Sequence, residues 1–222
     1  MQLFIIGRSG RGKDTLANYL ADKKGMKVLK SYTTREPKFE GEDSHIFISE
    51  DEVDNYPNKV ASTVLNDTIY FATQEQYDDS DIYIIDPYGF DELMKKCPSD
   101  DYTLVYVDAD EDVAREHAMV RGDRPEVYDK RVRKEDADFK AFEKRLDRNE
   151  VTGIVIFQYK NDYNMEHFTE FADTLYNYLI AKGEMQLINK VTREEKTITI
   201  GVKPLSRKER EEEEARLRAE AN

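Results

Sequence analysis

The sequence predicts an α/β fold: three layers, α/β/α, around a parallel core sheet of five strands. Three observations predict it. A short apolar strand at residues 2–6 runs straight into a glycine-rich turn at 7–13 and then an amphipathic helix. Further apolar runs of strand length recur at residues 26–30, 82–85, 103–107 and 153–157. Helical patterns lie between these runs, and strands that alternate with helices build parallel sheets covered on both faces.

Each element has a local reason. Leu16, Tyr19 and Leu20 share one face of the helix at 14–24, and Gly25 ends it where a left-handed residue is wanted. Residues 31–47 form a basic-then-acidic loop that ends on a short strand at 45–49. Ser49-Glu50-Asp51-Glu52 is a capping box that opens a short helix, and Pro57 stops it. Residues 68–73 fit a small hairpin strand. Residues 110–120 and 126–146 read as helices, the second long and charged, with a loop at 122–125 between them. A further amphipathic helix spans 165–180. After Gly183 the pattern changes: residues 185–191 and 196–202 read as a two-stranded hairpin, and 205–221 as a charged helix. The chain therefore divides into a domain at 1–182 and a C-terminal extension at 183–222.

The 222 residues suffice for one such domain with a good core, and 39% hydrophobic against 36% charged residues describes a heavily charged surface around an adequate interior. Net charge is −13, and because residues 203–222 carry six basic and six acidic side chains, the whole excess lies in 1–202. An acidic body repels nucleic acid over most of its surface, yet a local basic cluster can still hold a small anion. No run approaches the roughly 18 apolar residues of a membrane span, and the N-terminus has neither a basic n-region nor a cleavage site. The one cysteine, Cys97, forms no internal disulfide. The expectation is a cytoplasmic protein with no nucleic-acid or membrane partner; no pattern speaks to oligomeric state.

Gly7-Arg8-Ser9-Gly10-Arg11-Gly12-Lys13 satisfies the G-x-x-x-x-G-K spacing of a phosphate-binding loop. Glycines let successive backbone N–H groups turn inward around phosphate oxygens, and the helix that starts near Lys13 adds its positive end. Lys13 can then reach the outer phosphates of ATP. Arg8, Ser9, Gly10, Arg11, Gly12, Lys13, Asp14 and Thr15 are the ATP-binding candidates. The position after the lysine is normally Ser or Thr, whose hydroxyl meets Mg²⁺. Asp14 stands there, and a carboxylate is also a hard oxygen ligand, directly or through water.

Residues 31–49 carry a resemblance. Ser31-Tyr32-Thr33-Thr34-Arg35-Glu36-Pro37-Lys38, followed by Gly41-Glu42-Asp43 and His45-Ile46-Phe47, resembles the S-x-T-T-R-x-P-R segment of the guanylate kinase family. The likeness runs over about residues 2–180. It implies a P-loop kinase fold with an acceptor-binding region at about 31–78 and a lid at about 121–135. It implies that Ser31, Arg35 and Lys38 hold the phosphate of a nucleoside monophosphate, with His45 where the family has a tyrosine. Thr68-Ile69-Tyr70-Phe71-Ala72-Thr73 resembles the family's N-Y-Y-G-S/T stretch, which brings Tyr70 to the same phosphate. Ala72 stands where the family places a guanine-contacting serine, and residues 60–66 offer no counterpart to the guanine-reading glutamate.

Residues 82–86 resemble the strand that ends in an acidic residue near metal and substrate. Asp86 then organises Mg²⁺, contacts the base, or simply opens a turn. Val120-Arg121-Gly122-Asp123 and Asp129-Lys130-Arg131 resemble the family's lid, making Arg121 and Arg131 the groups that stabilise the transferring phosphoryl, with Arg124 and Arg133 as deputies. Lys13, Arg121 and Arg131 are the catalytic candidates, Asp14 and Asp86 the metal candidates, and Mg²⁺ with ATP the implied cofactor. The resemblance implies transfer of the ATP γ-phosphoryl group to (d)GMP or another (d)NMP; the Gly-Lys-Asp-Thr ending is similar to that of some viral deoxynucleoside monophosphate kinases. Two other readings stay open: a non-catalytic binding module of the same fold, and a regulatory NTPase.

Overall fold

The computed structural model describes residues 2–37, 40–65, 67–99, 101–120, 122–148, 150–151 and 155–192, and of residues 65, 155 and 184–192 the backbone alone. The first strand, β1 (Gln2–Ile6), leads through the glycine turn into α1 (Lys13–Lys24). Two short strands follow, β2 (Tyr32–Thr33) and β3 (Ile46–Phe47), then a 3₁₀ turn at Glu50–Asn55 in which the Ser49 amide donates to Glu52 at 2.8 Å. β4 (Lys59–Leu65) and β5 (Thr68–Thr73) lead to α2 (Gln74–Asp78), and β6 (Ile82–Ile84) to α3 (Pro87–Lys96). β7 (Tyr102–Asp108), α4 (Glu111–Val120), α5 (Pro125–Asp147), β8 (Val155–Lys160) and α6 (Met165–Thr192) complete the described chain.

β1 pairs in parallel with β6 on one side and β7 on the other, and β7 pairs in parallel with β8, so the core sheet runs β6-β1-β7-β8. The period-two alternation of buried strands divides its side chains between two cores. Phe4 and Ile6 with Leu104 and Tyr106 meet Phe90 and Leu93 of α3 and Phe139, Phe142 and Leu146 of α5. Leu3 and Ile5 with Val105 and Val107 meet Leu16 and Leu20 of α1 and Phe168, Leu175 and Leu179 of α6. This is the three-layer arrangement the alternation predicts. A second, small sheet, β3-β2-β5-β4, has antiparallel pairing at β2/β5 and β4/β5, and its Val60, Ala61 and Ala72 join the core around Phe4 and Phe90.

Three expectations need correction. Among the described residues the core sheet has four strands, not five: residues 26–30 contribute an isolated parallel bridge, Val28 to Ile82. The Asp81 carboxylate accepts the Lys27 amide at 2.8 Å, so a side chain rather than a ladder carbonyl takes that donor. Residues 185–191 belong to α6, which runs unbroken to Thr192. Leu187, Ile188 and Val191 have helical rather than strand spacing, and Gly183 costs a helix interior only about 1 kcal/mol; the expected partner strand at 196–202 and helix at 205–221 lie outside the described residues. Finally, Asp86-Pro87-Tyr88-Gly89 is no simple turn but the start of α3: Asp86 Oδ1 accepts from the Tyr88 and Gly89 amides, both at 3.0 Å, and Pro87 sits in the first turn. N-cap Asp with Pro at the next position is the usual opening of a helix. Among the described residues no helix is long and apolar enough to cross a membrane.

The approach of the glycine loop to the sheet is tight. A Cβ added at Gly7 would lie 2.2 Å from the Val107 carbonyl oxygen. Gly7→Ala should therefore destabilise the protein by about 1–3 kcal/mol, the usual cost of overpacking, measured by urea denaturation; an unchanged midpoint would mean that the two strands separate more readily than this packing implies.

Candidate functional site

The loop at residues 7–13 has the backbone its glycines promise. Gly10 and Gly12 take positive φ, 80° and 96°, and α1 begins at Lys13 with Gly12 as its cap. Lys13 Nζ folds back to donate to the Arg8 carbonyl at 2.9 Å. Burial pulls the Lys13 pKa below the ordinary lysine value; Asp14 and Glu135 oppose this, and Arg131 and Arg11 add to it. An ammonium held this way gains a strong electrostatic partner when phosphate oxygens replace the lost water.

Two arginines of the loop turn away from its mouth. Arg8, only 8% exposed, donates from Nε and Nη2 to Glu143, both at 3.1 Å, and from Nη1 to Asp136 at 3.0 Å. Its guanidinium also lies 5.4 Å from the centre of the Phe139 ring. Arg11, 3% exposed, pairs with Glu111 and faces Asp108 at 3.7 Å. The Arg8 and Arg11 side chains thus brace the loop against α5 and α4. Asn161, on the turn after β8, donates to the Arg11 carbonyl at 3.0 Å, and the Tyr163 hydroxyl donates to the Gly10 carbonyl. A Cβ at Gly12 would meet Asn161 Nδ2 at 2.5 Å. Asp14 and Thr15 are exposed on the first turn of α1.

On α5, Arg131 and Glu135 are one turn apart and share a face. Arg131 Nη2 lies 3.9 Å from Asp123, and Glu135 Oε1 accepts the Ser9 amide at 3.0 Å. Arg121 lies outside the described residues, as does Lys38 of the other phosphate set.

The second cluster lies on the small sheet. Ser31 Oγ and His45 Nδ1 are 3.0 Å apart, and the Tyr70 ring meets the His45 ring edge-on with centroids 5.5 Å apart. Arg35 forms two bonds with Glu42, 3.1 and 2.7 Å, over the face of Phe47. Ser31, His45 and Tyr70 line a cavity of about 140 Å³ together with Ser62 and Thr63, which pair with Phe71 and Tyr70 across β4 and β5, and with Asp86 from the start of α3. Burial pushes the Asp86 carboxyl above the ordinary carboxylate range, against the pull of the two amides it caps. The residues from 31, 45, 70 and 86, far apart in sequence, thus share one cavity, while Arg35 is held at its edge by Glu42.

Several residues of this arrangement were not singled out from the sequence. Glu135 had a signal, its four-residue spacing from Arg131. Asn161 and Tyr163 had a weaker one, a polar cluster closing an apolar strand. Glu143, Asp136, Ser62 and Thr63 had none, because their partners come from other elements.

No protein-family model and no curated protein sequence matches the chain. Among solved structures 72 chains match. One is the crystal structure of guanylate kinase from Anaplasma phagocytophilum, 16% identical, over 88% of this chain and 97% of that one, with a TM-score of 0.55. At that identity the likeness establishes a shared, guanylate kinase-like α/β fold.

Asp86 separates capping from burial. Asp86→Ala should lose about 1 kcal/mol through the α3 cap, whereas Asp86→Asn keeps the cap and sheds a buried charge. Because the folded pKa is raised, the unfolded chain ionises first as pH climbs through about 4, so ionisation favours unfolding. Asp86→Asn should accordingly match or exceed the wild type at pH 7 in urea denaturation, and its advantage should vanish below the ordinary carboxylate range. A variant less stable than wild type at pH 7 alone would contradict this.

Proposed function

We propose that the chain is a nucleoside monophosphate kinase, moving the γ-phosphoryl group of ATP to (d)GMP or another (d)NMP to give the (d)NDP. The observation that carries this reading is the convergence of Ser31, His45 and Tyr70 of the small sheet and Asp86 of the main domain on one cavity, none of whose lining residues belongs to the glycine loop. A single phosphate loop supports only triphosphate binding; a second polar, basic-edged site supplies an acceptor. The guanylate kinase-like fold supports the same pairing of sites.

In this reading the chemistry is positioning and charge stabilisation, without a covalent intermediate. Backbone amides of residues 8–13 and the N-terminus of α1 hold the triphosphate. Lys13 and Arg131 act on the transferring group, Arg121 with them. Arg35, freed from Glu42 or shared with it, and Lys38, Ser31, His45 and Tyr70 anchor the acceptor phosphate. Asp86, whose Oδ1 caps α3, faces the acceptor base from the cavity wall. Mg²⁺ fits Asp14: an exposed hard carboxylate beside the loop suffices, since one or two protein oxygens complete a shell otherwise made of phosphate and water. Bound there, it neutralises phosphate charge during transfer. Ser62 and Thr63 add neutral polar groups to the cavity lining, which suits hydrogen-bonding a base without the family's guanine-reading glutamate.

The test is turnover of ATP with a panel of nucleoside and deoxynucleoside monophosphates, wild type beside Asp14→Ser. Transfer to at least one acceptor, with ADP and diphosphate formed one for one, is expected. Lys13→Ala and Arg131→Ala should each lower kcat by about 100-fold or more, and Arg35→Ala should raise the acceptor KM by roughly 10- to 100-fold. No diphosphate from any acceptor would sink the reading in favour of a binding module. ATP hydrolysis that no acceptor alters would point instead to a regulatory NTPase.

A further inference from the structure

The glycine loop already holds an anion of its own. A phosphate loop works by presenting inward amides and a lysine to phosphate oxygens. Here the Ser9 amide, at the third position of that loop, donates to Glu135 Oε1 at 3.0 Å. The same carboxylate acts on the Lys13 ammonium, which bonds back to the Arg8 carbonyl at 2.9 Å. The Ser9 amide, already taken by a carboxylate, is one of the inward donors that a phosphate oxygen bound in this loop would meet.

Glu135 reaches this position because α5 is fixed beside the loop. Its neighbour Asp136 bonds Arg8 at 3.0 Å, and Glu143, two turns on, holds the same guanidinium with two bonds of 3.1 Å. Phe139 and Phe142 anchor that stretch in the core. The helix backbone at Glu135 therefore cannot withdraw without breaking the Arg8 network. The side chain can leave by rotating, since Glu135 is only partly buried. Carboxylate and triphosphate, both anionic, compete for the Ser9 amide.

We propose that Glu135 is a displaceable internal ligand of the phosphate loop, occupying the place of a terminal phosphate oxygen and setting the affinity of the loop for polyphosphates. This rests on the reading of residues 7–15 as the triphosphate site and adds the group that incoming ligand must expel. The loop stays formed when empty, and a ligand binds only if it outbids one carboxylate, which favours a chelating polyphosphate over a single phosphate.

The experiment is calorimetric titration of the full chain with Mg·ATP and, separately, with inorganic pyrophosphate, comparing wild type, Glu135→Gln and Glu135→Ala. Glu135→Gln keeps an acceptor for Ser9 but no charge; Glu135→Ala removes both. Both variants should bind each ligand more tightly, by on the order of tenfold, equivalent to about 1.4 kcal/mol. The acceptor KM, read at the other lobe, should not move. Unchanged or weaker binding in both variants overturns the proposal, weaker binding being the mark of a carboxylate that merely builds the loop. If Glu135→Ala fails to fold, Glu135→Gln alone decides. Wild type that binds ATP with no gain in the variants overturns this proposal and spares the kinase reading. Variants that bind pyrophosphate where the wild type binds neither ligand support it and count against the kinase reading; no binding by any of the three overturns both.

Discussion

The site depends on one ion cluster, the grip of the buried Arg8 on the partly exposed carboxylates of Glu143 and Asp136. Arg8 belongs to the glycine loop, and both carboxylates belong to α5. Tyr106, at the C-terminal part of β7, donates to Glu143 at 2.5 Å and ties the cluster to the sheet. A desolvated cation is costly unless its donors are satisfied, and each Arg8 group here has an oxygen within hydrogen-bond reach. The result is that the loop, the central sheet and the helix carrying Arg131 and Glu135 form one rigid corner. Removing Arg8 would leave Glu143 without its cation in that corner.

The other half of the site obeys a different constraint. The small sheet is narrow, and its aromatic side chains do the work of a core: Tyr32 stacks on Phe71 with centroids 5.0 Å apart, and Tyr56 closes against Tyr32 at 4.3 Å. That platform holds Ser31, His45 and Tyr70 in place. It meets the main domain mostly through β4 against α3, the helix that Asp86 caps. One carboxylate thus serves two purposes, starting α3 and forming the cavity wall, which is why burial of its charge is tolerated. Under the proposed function the two clusters become anion sites of different construction: backbone amides around a lysine in one, side-chain donors on a small sheet in the other.

The main sheet was largely legible in the sequence. Strands at residues 2–6, 82–85 and 103–107 are runs of apolar residues with nothing polar to interrupt them, and burial on both faces demands that. The edge was harder. Residues 26–30 have strand composition, but whether an edge segment forms a ladder depends on its neighbour, and the Asp81 side chain is invisible to a pattern search. α3 was missed because Pro87 and Gly89 look like punctuation, although Asp86-Pro87 is equally a helix start. At the site, the glycine spacing and the basic segment at 31–38 carry their chemistry in contiguous residues. Glu135, Glu143, Asn161 and Tyr163 act on the loop from more than a hundred residues away, and only the fold brings them there.

The central claim is that the loop is held preformed by groups from α5 before any nucleotide arrives. Amide hydrogen exchange at Ser9 and Arg11, the two loop amides with acceptors, in the nucleotide-free protein tests it most directly, wild type against Arg8→Ala. Slow exchange at these amides in the wild type, lost in Arg8→Ala while the β1 and β7 amides stay protected, is the predicted result. Loop amides that exchange at the unprotected rate in the wild type, or equally slowly in both proteins, would contradict it.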